Sequence, residues 1–519
     1  MNRVAAIVLA DVRIRFRRLS TLIVFVLLSS CAYLWVPDPS TGRTLLEISG
    51  KRALYNSAAI GMGTAAMAAI FVGLIGYYVI SNALRRDVAS RCGFVLASTG
   101  MRSSEYLLGK FLGNVAFLAT FLGGFMVTSM GMLVVRGEAP LEPLVFAQQY
   151  LYIVAPSIFF VSAIAILFES VPFLSGRFGD VAYFFFWCLS LSVVAMLEST
   201  RQGLSIAAYF DVSGLGYLFD VMKVTTGTEH VSIGAATFDP AHGIYVFPGL
   251  TMPAKWILPR IVSVLLCIPV LGLALLFFHR FDPARVRISG KAKRDWMGRI
   301  NALAKPLARL VTVMPIGRRA SLARAALADA MLTLTAFPIA VAAVIGFAIA
   351  ALATGGAHAG RQVLPIAFAA AAIAVAGVAS RESESGTTAL VSSAPLLQPR
   401  FIAWKLLSSL LVALSFLAVP MLVVGLARPS AIVPMLIGLL FVCSAATALG
   451  AISTNAKTFL VLFLMFWYVV MNDSGRNPSF DFAGFYGKST TAVALAYLGL
   501  AIAFVVAAQA VHVVRLRRA

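Results

Sequence analysis

The chain has 519 residues, 60% hydrophobic and only 12% charged, with a mean hydropathy of +0.91. That composition excludes a string of soluble domains and describes a protein whose main solvent is lipid. Lys and Arg number 42 against 21 Asp and Glu, a formal charge of +21, yet the cations lie between apolar runs and accompany no nucleic-acid motif; membrane topology explains the excess and nucleic acid is excluded as a partner.

The chain opens on MNRVAAIVLADVRIRFRRLS, a basic amphipathic segment that runs into an apolar span without a small-residue cleavage site between them. A bilayer core of about 30 Å takes about 20 apolar residues per helix. On that measure spans are expected near 19–36, 56–81, 108–135, 144–168, 181–197 and 258–279. Six more follow near 330–352, 364–379, 403–427, 431–451, 457–472 and 490–514.

Lys and Arg orient them. The N-terminal segment carries Arg3, Arg13, Arg15, Arg17 and Arg18, the C-terminus ends in Arg515, Arg517 and Arg518, and residues 280–324 hold twelve Lys/Arg against Asp282 and Asp295. All three belong on the cytoplasmic side, whereas 198–257, with three cations and five acids, faces out. The first outer loop, with Arg43, Lys51 and Arg52, is more basic than this rule expects.

The expectation is an all-α polytopic membrane protein of about twelve transmembrane helices. Its first half would span 1–279 with an outer insertion at 198–257, its cytoplasmic linker 280–324 would lie on anionic membrane lipids, and its second half would span 325–519. Both termini would face the cytoplasm.

Between the second and third span of each half lies a charged, serine-rich segment. RRDVASRCGFVLASTGMRSSEYLLGK, residues 85–110, aligns without a gap with RESESGTTALVSSAPLLQPRFIAWK, residues 381–405, at an offset of 295. Arg86 falls on Arg381, Asp87 on Glu382, Leu96 on Val391, Ser98 on Ser393, Tyr106 on Phe401 and Lys110 on Lys405. A weaker echo, at an offset of 318, pairs LADVRIRF from residue 9 with LADAMLTL from residue 327, each leading into the first span of a half. Two halves built on one pattern are expected.

Away from their edges the spans contain no Asp, Glu, Lys, Arg or His, whereas ion-coupled transporters keep such groups at membrane depth despite their cost. The polar residues at depth, among them Asn114, Gln148 and Gln149, read as helix-packing hydrogen bonds. Five dispersed cysteines and five dispersed histidines form no metal-ligand spacing, and no catalytic set is visible, Glu169, Asp180, His230 and His242 standing apart. GFYGKST, residues 484–490, ends like a phosphate-binding loop, but position 482 is Phe where such a loop needs Gly. It is expected to be a turn before the last span.

A basic amphipathic start, two spans, a cytoplasmic RD…G…L.ST…EYLLGK segment, then four spans with an outer insertion before the sixth, resembles the permease subunits of type-2 ABC exporters. RESESGTTALVSSAP…FIAWK in the matching place extends the resemblance over nearly the whole chain, as two fused six-helix units. The second copy departs in having Trp404-Lys405 where the first has Gly-Lys, and almost no outer insertion. The resemblance implies an export permease in a bacterial inner membrane, moving a hydrophobic or amphipathic substrate. Energy would come from two separate ATP-binding subunits that hold ATP and Mg, this chain itself binding no cofactor.

The resemblance further implies that the N-terminal segment is an elbow helix and that 85–106 and 381–401 are coupling elements, with Arg86, Asp87, Glu105, Arg381, Glu382 and Glu384 as contacts to the ATP-binding subunits. The second inner loops, with Arg177, Asp180 and Lys457, would be smaller contacts. The rival readings are a secondary transporter of the major facilitator type and a lipid-modifying membrane enzyme. The residues do not specify a substrate-binding site.

Overall fold

The computed structural model describes residues 3–17, 25–26, 29–30, 32–33, 35–172, 174, 176–197, 204–228, 230–238, 240–279, 281, 321–336, 338–393 and 397–518. The chain divides into two compact units, Met1–Lys291 and Ala292–Ala519.

In the first unit, helix α1 (Arg3–Phe16) is followed by a hairpin of β1 (Arg43–Ile48) and β2 (Lys51–Ala53), its turn made by Ser49 and Gly50, both at positive φ. Asn56 caps α2 (Ser57–Phe71), its side-chain oxygen accepting from the Ala59 N–H at 2.8 Å. A π-helical turn, Val72–Gly76, leads into α3 (Tyr77–Ile80), and the short helices α4 (Ala83–Ala89) and α5 (Cys92–Ser98) follow. Then come α6 (Ser103–Arg136), α7 (Pro143–Ser170), α8 (Arg177–Ser192), α9 (Leu215–Thr226), β3 (Val231–Thr237), β4 (Ile244–Tyr245), α10 (Ala254–Leu265) and α11 (Cys267–Phe277).

Helices α2 and α7 form the centre of this unit. Small residues permit the contact: a Cβ at Gly61 would lie 3.3 Å from the Phe146 backbone, and across the same seam the Tyr150 hydroxyl donates to Thr64 Oγ1 at 2.9 Å. Pro156 inside α7 has no N–H to give the Tyr152 carbonyl. Arg260 of α10 takes that acceptor instead, donating to Tyr152 O at 2.7 Å, Ile153 O at 3.1 Å and Asp211 O at 2.8 Å. A buried cation three residues into an expected span is thus spent on backbone carbonyls.

The strands depart from the all-helical expectation. They form a four-stranded sheet in the order β3-β1-β2-β4, β1 antiparallel to β2 and β3, and β4 parallel to β2. Residues 43–53 thereby join 231–237 and 244–245 of the insertion in one sheet. Arg52 forms a two-point pair with Glu138, and Glu138 also accepts from the Tyr55 N–H at 3.1 Å, fixing the hairpin to the end of α6. The Arg52 hydrogen bonds hold the Glu138 carboxyl below its usual range.

The second unit contains α12 (Leu322–Ala336), α13 (Pro338–Thr354), α14 (Leu364–Val375), α15 (Arg381–Ser385), α16 (Thr388–Ser392), α17 (Phe401–Ala427), α18 (Ile432–Ser453), α19 (Ala456–Asp473) and α20 (Thr491–Arg518). Its centre is α17, against which α12, α13, α14 and α18 all pack.

Among the described residues eight helices are long and apolar enough to cross a membrane: Ser57–Val88, Ser103–Arg136, Pro143–Ser170, Ala254–Phe277, Phe401–Ala427, Pro429–Ser453, Ala456–Asp473 and Thr491–Arg517. The chain is a helical membrane protein. Of the other four expected spans, 19–36 lies for the most part outside the described residues, as does the linker 280–324. The span expected at 330–352 is a pair of helices bent by 94° near residue 337. Those at 181–197 and 364–379 are shorter apolar helices, Phe178–Ser192 and Ala359–Val375, the latter starting with a π turn.

Candidate functional site: two buried ion-pair clusters

Asp11 of α1 is 1% exposed and has three cations around it. Its Oδ1 accepts from Arg86 of α4 and from Lys110 Nζ of α6 at 3.1 Å, while Arg15, one turn along α1, lies 2.8 Å from Oδ2. Lys110 also sits 2.8 Å from Asp87 Oδ2, which accepts the Tyr106 hydroxyl at 2.7 Å, and Arg15 donates to Asn114 Oδ1 at 2.6 Å. Tyr106, Lys110 and Asn114 recur every four residues and so share one face of α6. Glycines bring α1 onto that face: a Cβ at Gly109 would fall 2.8 Å from Ile7, and one at Gly113 would fall 3.4 Å from Asp11 Oδ2. Burial alone would push the Asp11 carboxyl up, but Arg15, Lys110 and Arg86 together hold it below the usual carboxylate range.

The second unit makes the same bonds from its own residues. Asp329 of α12 accepts from Arg381 of α15 at 2.6 Å and from Lys405 of α17 at 3.2 Å, and Lys405 also pairs with Glu382 at 2.5 Å. Lys405 is fully buried, its ammonium 4.2 Å from the Trp404 ring centre. At the two offsets of the sequence alignment, Asp11, Arg86, Asp87 and Lys110 become Asp329, Arg381, Glu382 and Lys405.

The supporting residues differ and compensate. Thr333 stands where the first unit has Arg15 and accepts from Arg381 at 2.5 Å. Ser408 stands at the place of Gly113 and donates to Asp329 Oδ2 at 2.8 Å. Phe401 replaces Tyr106, and among the described residues the buried Glu382 Oε2 has no hydrogen-bond partner.

Arg86, Asp87, Arg381 and Glu382 are therefore engaged inside their own units. Glu105 caps α6, accepting from the Arg102 N–H at 2.9 Å with Arg3 at 3.7 Å. Glu384 accepts from Ser380 at 2.8 Å and from the Ala456 N–H at 3.0 Å, the first residue of α19. Glu169 caps α4 through the Ala83 and Leu84 N–H groups, at 3.0 and 2.6 Å. Arg177 opens α8 with its side chain outside the described residues; Asp180, in the same turn, is buried and its carbonyl accepts the Tyr78 hydroxyl at 2.6 Å. Lys457, half-buried, starts α19, its N–H bonded to Asn455.

The segments present different residues outward. Val95 on α5 is 68% exposed and Leu390 on α16 is 74% exposed, and the two are again 295 apart. Arg85, Arg91, Ser383 and Thr388 are exposed beside them. Neither apolar residue nor either aspartate stood out in the sequence, although the repeated LAD and the gap-free alignment contained all four.

The loop 481–489 folds around its own anion. Asp481, fully buried, accepts from the backbone N–H groups of Tyr486 at 3.2 Å, Lys488 at 2.8 Å and Ser489 at 3.2 Å. Backbone donors that would cradle a phosphate are occupied by a carboxylate, so GFYGKST is a turn. Among the described residues no group of His, Cys, Asp and Glu could hold a metal ion. The chain matches no protein-family model, no curated protein and no solved structure.

Proposed function

We propose that this chain is the membrane permease of an ATP-driven exporter of the type-2 ABC kind, built from two pseudo-repeated halves of about six spans. It moves a hydrophobic or amphipathic substrate out across a bacterial inner membrane, both termini lie in the cytoplasm, and it has no catalytic activity of its own. ATP and Mg belong to two separate ATP-binding subunits. The observation that carries this reading is the doubled cluster: the same acid, Arg, acid and Lys join an amphipathic helix, a short charged segment and a long span in both units. Each segment also turns one apolar residue outward at the same register, Val95 and Leu390. A partner that drives a transporter needs such levers, stiff at the root and adhesive at the tip.

The test is purification of the chain from its native membranes under mild detergent. A subunit carrying a complete phosphate-binding loop should co-purify, and Val95→Asp with Leu390→Asp should release it while leaving the chain folded. A chain that purifies alone, or a partner retained by the double variant, contradicts the docking assignment.

A further inference from the structure

We infer that Asp11 and Asp329 are the positioning residues that make each amphipathic helix, charged segment and long span move as one body. The source of the force rests on the function proposed above; the connection itself does not.

One carboxylate in each unit bonds elements far apart in the chain. Asp11 joins α1 to α4 through Arg86 and to α6 through Lys110, and Asp329 joins α12 to α15 through Arg381 and to α17 through Lys405. Both acids are buried, at 1% and 9% exposure. In that setting an element that pulls away leaves the buried acid short of a cation, or leaves Lys110 or Lys405, at 6% and 0% side-chain exposure, without water, so no element leaves the others singly. Separation of the three has to be concerted.

The pattern of retention between the units supports a mechanical role. Residues that satisfy burial locally have changed: Arg15 to Thr333, Tyr106 to Phe401, Gly113 to Ser408. The central acid, its Arg, the second acid and the Lys have kept their roles, and Glu382 does so although, among the described residues, one of its buried oxygens has no hydrogen-bond partner. A cluster serving only to satisfy its own polar groups had easier solutions, since well-packed apolar residues replace buried ion pairs at no loss of stability in many proteins. The shared feature is the three-way connection.

The first arm of the test is hydrogen–deuterium exchange of the full chain in lipid nanodiscs. Asp11→Asn should raise exchange about tenfold in 3–16, 83–89 and 103–114 together, and leave the second unit unchanged. Asp329→Asn should do the same in 322–336, 381–385 and 401–409. Asp11→Glu, which restores the carboxylate, should return most of the protection. Should Asp11→Asn not fold, Arg86→Gln removes one bond and keeps the acid; α1 and α4 should then loosen together by a few-fold. A rise confined to one element, or spread evenly over the unit, overturns the inference.

The second arm uses the complex with its ATP-binding subunit. A nitroxide on Cys92, which is exposed on α5, or on Leu112→Cys of α6, also exposed, reports the two ends of the lever. In the wild type ATP should alter both spectra, and in Asp11→Asn only that of Cys92. Altered spectra at both sites in the variant reject the positioning role. No ATP response at either site in the wild type instead rejects the proposed function and leaves the exchange result standing.

Discussion

Asp11 shows how much one buried side chain can hold. Its carboxyl stays ionised because Arg15, Lys110 and Arg86 outweigh the desolvation that burial imposes, and Asp87 faces it across Lys110. A carboxylate with a lowered folded-state pKa contributes stability above its unfolded value of about 3.9, and loses it as the pH falls through the folded value. The melting temperature in nanodiscs should therefore differ most between wild type and Asp11→Asn from about pH 5 upward, and the difference should narrow below about pH 4. A gap that is constant down to pH 3 would mean that the ion pairs are not what the Asn removes. Neither aspartate announced itself in the sequence. The repeated LAD was visible, but burial of its acid depends on Gly109 and Gly113 admitting α1 to the face of α6, which is a tertiary fact.

At the scale of elements, the long apolar helices were legible because their windows are uniform and long. The failures have identifiable causes. Strands β1 to β4 run from two to seven residues and come from two distant loops, so no local period declares them. The helix expected over 364–379 ends at Val375, four residues early, and that expected at 330–352 breaks beside Pro338. Arg260 shows the converse, a charge at the edge of an apolar run explained by a proline on another helix. Removing it from the wild type should cost about 1 kcal/mol more than removing it from Pro156→Ala, whose new N–H can bond the Tyr152 carbonyl. A double-mutant cycle of Arg260→Leu with Pro156→Ala should give a coupling of about 1 kcal/mol. Additive effects would show that the arginine does not substitute for the missing N–H.

For the whole molecule, the sequence marked the two segments and their register but not their orientation. The charges at Arg86, Asp87, Arg381 and Glu382 read as a surface for a partner, because an alignment of polar residues carries no sign for inward or outward. They turn inward, and the outward positions fall to Val95 and Leu390, which in an apolar chain were invisible among so many others. The proposed function depends above all on where energy enters. The most direct measurement is ATP hydrolysis by the chain purified from its native membranes with whatever subunit it retains, reconstituted in lipid. The expected result is ATP turnover that requires both proteins and falls at least tenfold in Val95→Asp with Leu390→Asp. A chain that transports alone in proteoliposomes, driven by an ion gradient and indifferent to ATP, would contradict it.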